Sequence, residues 1–215
     1  MTATAGVILD RMDADLTITI DLLQRAQGGN KEALNRLFDR YYERVRRIVR
    51  LRLGNRLRQR VESGDILQET FIAAVGDFDR FEVRDEASFI NWLSKIAERQ
   101  VLAAADYFGA QKRNTAREVP LVTHDTSGRI GLDPAETGLG PGEEADRVEQ
   151  TRLVEECIEA LPETYKELII LRNYAGASWD VVAEETGRPS AAAARMMHAT
   201  AMIELGKAIR KHSGT

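Results

Sequence analysis

The sequence predicts an all-α fold: two small helical domains joined by a flexible linker. Three observations carry this. Apolar residues recur at three- and four-residue steps through several stretches, the spacing of a helix with one buried stripe. Beyond the short run Leu16–Ile20, no stretch keeps the period-2 alternation of a half-buried strand. The chain has 16 Gly and 5 Pro in 215 residues, and they cluster between about Thr115 and Gly142, where they interrupt every helical register.

Taken in order, residues 1–17 form an N-terminal extension, acidic and without the apolar core of a signal peptide. A first helix runs from Ile18 to Gln27 and stops at Gly28-Gly29. Asn30 is placed to cap a long helix whose stripe is Leu34, Leu37, Phe38, Tyr41, Tyr42, Val45, Ile48 and Val49. Asp65 reads as the N-cap of the next helix, with Gln68 at capping-box spacing and Ile66, Leu67, Phe71, Ile72 and Val75 as the apolar side. A polar loop from Asp77 to Glu86 follows. Ser88 then caps a helix carrying Phe89, Trp92, Leu93, Ile96, Val101 and Leu102, ending near Gly109. After the linker, residues 115–142, helix resumes near Glu143 and runs to Ala160. Pro162 opens a helix that ends at Gly176. Ser178 caps a short helix to Thr186, Gly187 ends it, and Pro189-Ser190 opens the last helix, to about Ala208.

Charge is distributed in blocks. Residues 31–60 hold 11 Lys/Arg against 3 Asp/Glu, and residues 152–186 hold 3 against 8, although the net charge is only −4. A basic block can face phosphate or be a solvated helix face. Both readings fit the Arg-rich stretch from Arg44 to Arg60. The single cysteine, Cys157, excludes an intramolecular disulfide and fits a reducing cytoplasm. It lies in an apolar helical stripe and reads as core. His124, His198 and His212 have no ligand spacing, so no metal is expected. No phosphate-binding glycine loop or nucleophile elbow occurs, so neither a cofactor nor an enzyme activity is expected. No apolar run reaches the roughly 20 residues needed to span a membrane.

The most informative local pattern is at the C-terminus. Ser178–Thr186, Gly187-Arg188-Pro189 and Ser190–Leu205 read as helix, tight turn, helix. In a helix-turn-helix the second helix lies in the major groove. Val181, Val182 and Ala183 are expected to bury against Met196, Met197 and Ala201. The alanines from 191 to 194 let the helix start approach DNA closely. An ordinary helical hairpin is the alternative.

A second pattern joins it. The segment from Asp65 to Phe71 (DILQETF) is followed about 20 residues later by Phe89 to Ala97 (FINWLSKIA). Together these resemble region 2 of bacterial sigma factors. Leu161-Pro162-Glu163, Leu171-Arg172, Tyr174 and Gly176, followed by the helix-turn-helix, resemble region 4. The order of the modules, with no regular region 3 domain between them, is similar to the extracytoplasmic-function (ECF) class of the sigma-70 family. The resemblance covers about residues 18–114 and 145–208.

That resemblance implies a transcription initiation subunit that binds core RNA polymerase, through the beta-prime coiled coil and the beta flap, and directs it to promoter DNA in the cytoplasm, near the nucleoid. It also leaves room for an anti-sigma factor as a partner. Residues 18–114 would be the region 2 domain and 143–215 the region 4 domain. Asp65, Gln68 and Glu69 would face the beta-prime coiled coil, where rim charges steer association. The loop from Asp79 to Ala87 would capture a base flipped from the non-template strand of the minus-10 element. Asn91, Lys95, Arg99 and Gln100, at steps of about four on one helix, would share a face toward that element, with Lys112 and Arg113 on phosphate. Trp92 fits a core role or a stacking one. Arg188, Ser190, Ala191, Ala192, Arg195 and His198 would read the minus-35 element, where fewer basic residues than the family usually carries leave thymine-methyl contacts and phosphate anchoring as alternatives to arginine readout. The acidic linker would thread the polymerase cleft or serve as a tether. Two other readings are a helix-turn-helix regulator that does not dock on polymerase and a helical protein-binding adaptor.

Overall fold

The computed structural model describes residues 18–82, 86–114 and 141–213, and every element among them is helical. Residues 18–27 form α1, closed by Gly29 at φ 86°, a left-handed turn that glycine adopts without a Cβ clash. Asn30 caps α2, Lys31–Arg58, accepting from the Ala33 N–H at 3.0 Å, as the sequence implied. Within α2 the backbone breaks from helical geometry at Gly54 (φ 60°, ψ 167°). The expected stripe is the buried one: Leu37, Phe38, Tyr41, Val45, Ile48 and Val49 are in the core, with Leu34 and Tyr42 packed against it.

The next helix, α3, spans Ser63–Asp77 and begins two residues before the expected cap. Asp65 therefore lies in its first turn, where its charge complements the helix dipole, and the Asp65–Gln68 capping box does not form. Ile66, Leu67 and Phe71 are buried as expected, but Ile72 and Val75 are half exposed. A 3-10 turn, Phe78–Arg80, replaces part of the expected polar loop and buries Phe78. The following helix, α4, spans Glu86–Asn114, so Ser88 is inside it and does not cap it. An aromatic cluster locks α4 to α2 and this turn. Phe89 meets Tyr41 edge-on at 5.1 Å, Phe81 at 5.4 Å and Trp92 at 5.7 Å, and Trp92 meets Phe81 at 4.9 Å. Trp92 is thus part of the core packing.

After the linker, which lies outside the described residues up to residue 140, α5 spans Pro141–Glu159 and α6 spans Glu163–Ile169, running on as a π-helical turn, Ile170–Tyr174. Then come α7, Trp179–Glu185, and α8, Ala191–Ser213. Cys157, Ile158, Ile169, Ile170, Ala175, Ala201 and Leu205 belong to the same apolar cluster as the core of α1–α4. The two segments therefore pack on each other across a continuous core.

Ion pairs fasten the same junction. Arg50 Nε donates to Glu155 Oε2 at 2.9 Å, Arg52 is bidentate on Glu167 at 2.9 and 3.2 Å, Arg58 pairs with Glu159, and Arg44 donates to the Tyr174 carbonyl. At these four positions the Arg-rich block engages the second segment, three times through its acidic side chains and once through the Tyr174 carbonyl. Burial raises the Glu167 carboxyl above its ordinary 4.5 despite Arg52, because desolvation outweighs the ion pair. Between pH 4.5 and the raised folded value, the folded chain retains a proton there that the unfolded chain releases. The resulting stability is fully present below pH 4.5 and is lost as pH rises through the folded value. Glu167→Gln is expected to remove that component, so urea midpoints measured across the acid range should vary less with pH than in the native chain.

Candidate nucleic-acid interface

The C-terminal hairpin is built from small and branched residues at its crossing. Leu168, Leu171, Ala177, Val182, Ala183 and Ala194 form a compact cluster of their own, with Val181, Trp179 and Met197 against it. Ser178 accepts from the Val181 N–H and fixes the start of α7. Gly187 turns the chain at φ 63°. Ser190 then caps α8 by accepting from the Ala193 N–H at 3.2 Å. The result is the expected helix-turn-helix, with three corrections. Met196 is 75% exposed and does not pack on α7, and Ala194 is fully buried and is the residue that lets α7 and α8 close. Ala201 belongs to the larger cluster, not to this seam.

The exposed side of α8 carries Ala192, Arg195, Met196 and Ala199, with Ala191 and His198 half-buried beside them. Arg188 Nε donates to the Thr186 carbonyl at 3.0 Å, which ties it to the turn. The Ser190 hydroxyl is engaged as a cap. The Arg195 guanidinium lies 5.4 Å from the Trp179 ring centroid and Arg172 lies 4.6 Å from it, so two cations approach one indole. Trp179 and Asn173, which the sequence reading passed over, border this face: Asn173 Oδ1 is 2.7 Å from His198 Nε2.

On α4, Asn91, Lys95 and Arg99 follow one another at successive turns. Gln100 lies two and a half turns beyond Asn91 and therefore on the opposite side, so it does not share their face. Asn91 is half-buried, and its Oδ1 is covered without a hydrogen bond among the described residues. Lys95 Nζ is 2.6 Å from Glu185 Oε1 of α7, and Arg99 is 3.7 Å from Asp77 Oδ2. Lys112 and Arg113 lie on α4, but their side chains fall outside the described residues, as do residues 83–85 of the loop.

On α3, Asp65 and Glu69 are exposed and Gln68 is half-buried and engaged. Ile72 and Val75 continue the same face toward the C-terminal end. Sequence periodicity alone had assigned both to the core.

A family model described as "ECF sigma factor" matches residues 17–203. The chain belongs to that family. An ECF RNA polymerase sigma-E factor of Haemophilus influenzae is 32% identical over 184 residues, covering 85% of this chain and 92% of that protein. The sigma-E factor of Escherichia coli K12 is 33% identical over 172 residues, covering 75% of this chain and 79% of that protein. The fold is also that of CnrH, solved in complex with the cytosolic domain of CnrY, at a TM-score of 0.53 and 19% identity over 90% of this chain and 98% of that one. As an ECF sigma factor the chain binds RNA polymerase and directs it to promoters for transcription initiation. The readings as a polymerase-independent regulator or an adaptor are not favoured. No helix among the described residues is long and apolar enough to cross a membrane.

Proposed function

We propose a division of labour within this sigma factor. Residues 18–114 dock on polymerase and read the minus-10 element; residues 143–215 read the minus-35 element; residues 115–142 link the two and 1–17 extend the first. The observation that carries the reading is the exposed face of α8, with Arg195 and His198 set beside Ala191 and Ala192 over a self-contained hairpin core. Small residues there allow close approach to a groove, and the capped helix start favours a phosphate nearby.

Asp65, Gln68 and Glu69 face the beta-prime coiled coil, and Ile72 and Val75 add the apolar contact that such an interface needs beside its charged rim. Asn91, Lys95 and Arg99 approach the minus-10 strand, with Lys112 and Arg113 on its phosphates, while Gln100 has no part in that face. For Lys95 this means exchanging Glu185 for phosphate, so the two segments part at that point when DNA binds. An open cleft lined by Leu161, Pro162, Tyr165, Glu204, Lys207 and Lys211 supports a contact with the beta flap. An anti-sigma factor is a further partner in this reading, and the protein works in the cytoplasm at the nucleoid.

Two variants separate the roles. Glu69→Lys is expected to weaken binding to core polymerase about tenfold or more while leaving the fold intact, measured by titration against labelled core enzyme. Arg195→Glu is expected to keep that affinity and to lose footprint protection upstream of the minus-10 element. Undiminished polymerase binding by Glu69→Lys would remove α3 from the docking face.

A further inference from the structure

His198 sits three residues after Arg195 on α8, so both lie on the face that meets DNA. Its Nε2 is 2.7 Å from Oδ1 of Asn173, an exposed residue of the π-helical turn. The Trp179 ring stands edge-on to the imidazole, centroids 5.2 Å apart at 74°. Arg172 lies over that indole, its Nη1 donating to the Ala177 carbonyl at 2.8 Å, and Arg195 approaches it as well. Partial burial, and then the charge of Arg172, hold His198 below the ordinary 6.5, so the ring is neutral at pH 7. A neutral imidazole has one N–H. A carboxamide oxygen accepts, which puts that proton on Nε2 and leaves the lone pair on Nδ1.

We propose that Asn173 is a specificity-determining positioning residue: by accepting from Nε2–H it presents His198 Nδ1 to the major groove as a hydrogen-bond acceptor, selecting a base with an exocyclic amino group. Adenine N6 and cytosine N4 donate in that groove, whereas guanine and thymine present acceptors. The proposal rests on the reading that α8 enters the minus-35 groove.

The test uses the full-length protein with core polymerase on a promoter pool randomised in the minus-35 element, with initiated transcripts sequenced. One position is expected to favour adenine or cytosine over guanine or thymine, read on one strand, by about three- to tenfold, the range of a single hydrogen bond. Asn173→Ala should flatten that position and no other. Asn173→Asp should stabilise the imidazolium, make Nδ1–H a donor, turn the preference toward guanine or thymine, and raise the pH at which preference changes. Asn173→Gln should restore part of the native preference. Because Asn173 is exposed, the variants should melt with the native chain, and a purely structural role would not move one base preference or its pH profile. Unchanged preference in Asn173→Ala and Asn173→Asp would overturn the proposal. So would a native preference for guanine or thymine, the result expected if the carboxamide donated instead. Failure of every protein, native included, to start transcription would instead overturn the sigma-factor reading beneath it.

Discussion

Phe89→Ala is expected to remove about 3–5 kcal/mol of unfolding free energy, the usual cost of deleting a buried aromatic ring. The ring is fully buried and touches Tyr41 on α2, Phe81 beside the 3-10 turn and Trp92 on its own helix. Truncation is expected to leave a cavity among these rings. Domains of this size hold only about 5–15 kcal/mol in total. The variant should therefore lose a substantial part of its margin and loosen the placement of Asn91, Lys95 and Arg99 on α4. A urea titration checks this, with Leu102→Ala as the control: Leu102 is 57% exposed, and its truncation should stay within about 0.5 kcal/mol of the native chain. A loss under 1 kcal/mol for Phe89→Ala would contradict the burial of this ring among Tyr41, Phe81 and Trp92.

Glu159→Lys is expected to cost about 3–5 kcal/mol as well, by a different route. Glu159 and Arg58 are 7% and 16% exposed in their side chains, so a lysine at 159 would leave a largely buried guanidinium facing a second cation. Arg50–Glu155 and Arg52–Glu167 lie along the same junction, and the strain should loosen α5 and α6 from α2. The expected result is a larger radius of gyration in solution scattering and faster amide exchange in α5. Adding Arg58→Glu should recover part of the loss, because the reversed pair restores the attraction, and the double-mutant cycle gives the coupling directly. Equal stability of the single variant and the native chain would mean that the junction is not held by these pairs.

Much of this was legible in the sequence because it is local. Asn30, Ser178 and Gly187 announce helix ends through their own side chains or lack of one, and the stripe from Leu37 to Val49 follows from helical spacing alone. The hairpin of α7 and α8 was legible for the same reason. What escaped depends on which neighbour arrives from far along the chain. Ile72 and Val75 fit the apolar period of α3 as well as Ile66 does, yet both are about half exposed among the described residues. Met196 and Ala194 were exchanged because the rotation of α8 against α7 is set by Leu168 and Leu171, some 25 residues earlier. The block from Arg44 to Arg58 looked outward-facing because its partners, Glu155, Glu159 and Glu167, lie more than 100 residues away. Their complementary charge was visible; that the two blocks face each other was not. Asn173 gave no signal at all, since one exposed asparagine acquires meaning only beside His198.

As an ECF sigma factor, this chain turns core polymerase into a promoter-directed initiator. Run-off transcription with purified core enzyme and a promoter library measures this most directly. Transcripts with discrete start sites are expected only when the protein is added, and fewer of them with Glu69→Lys at limiting protein. Start sites that are the same with and without the protein would contradict this.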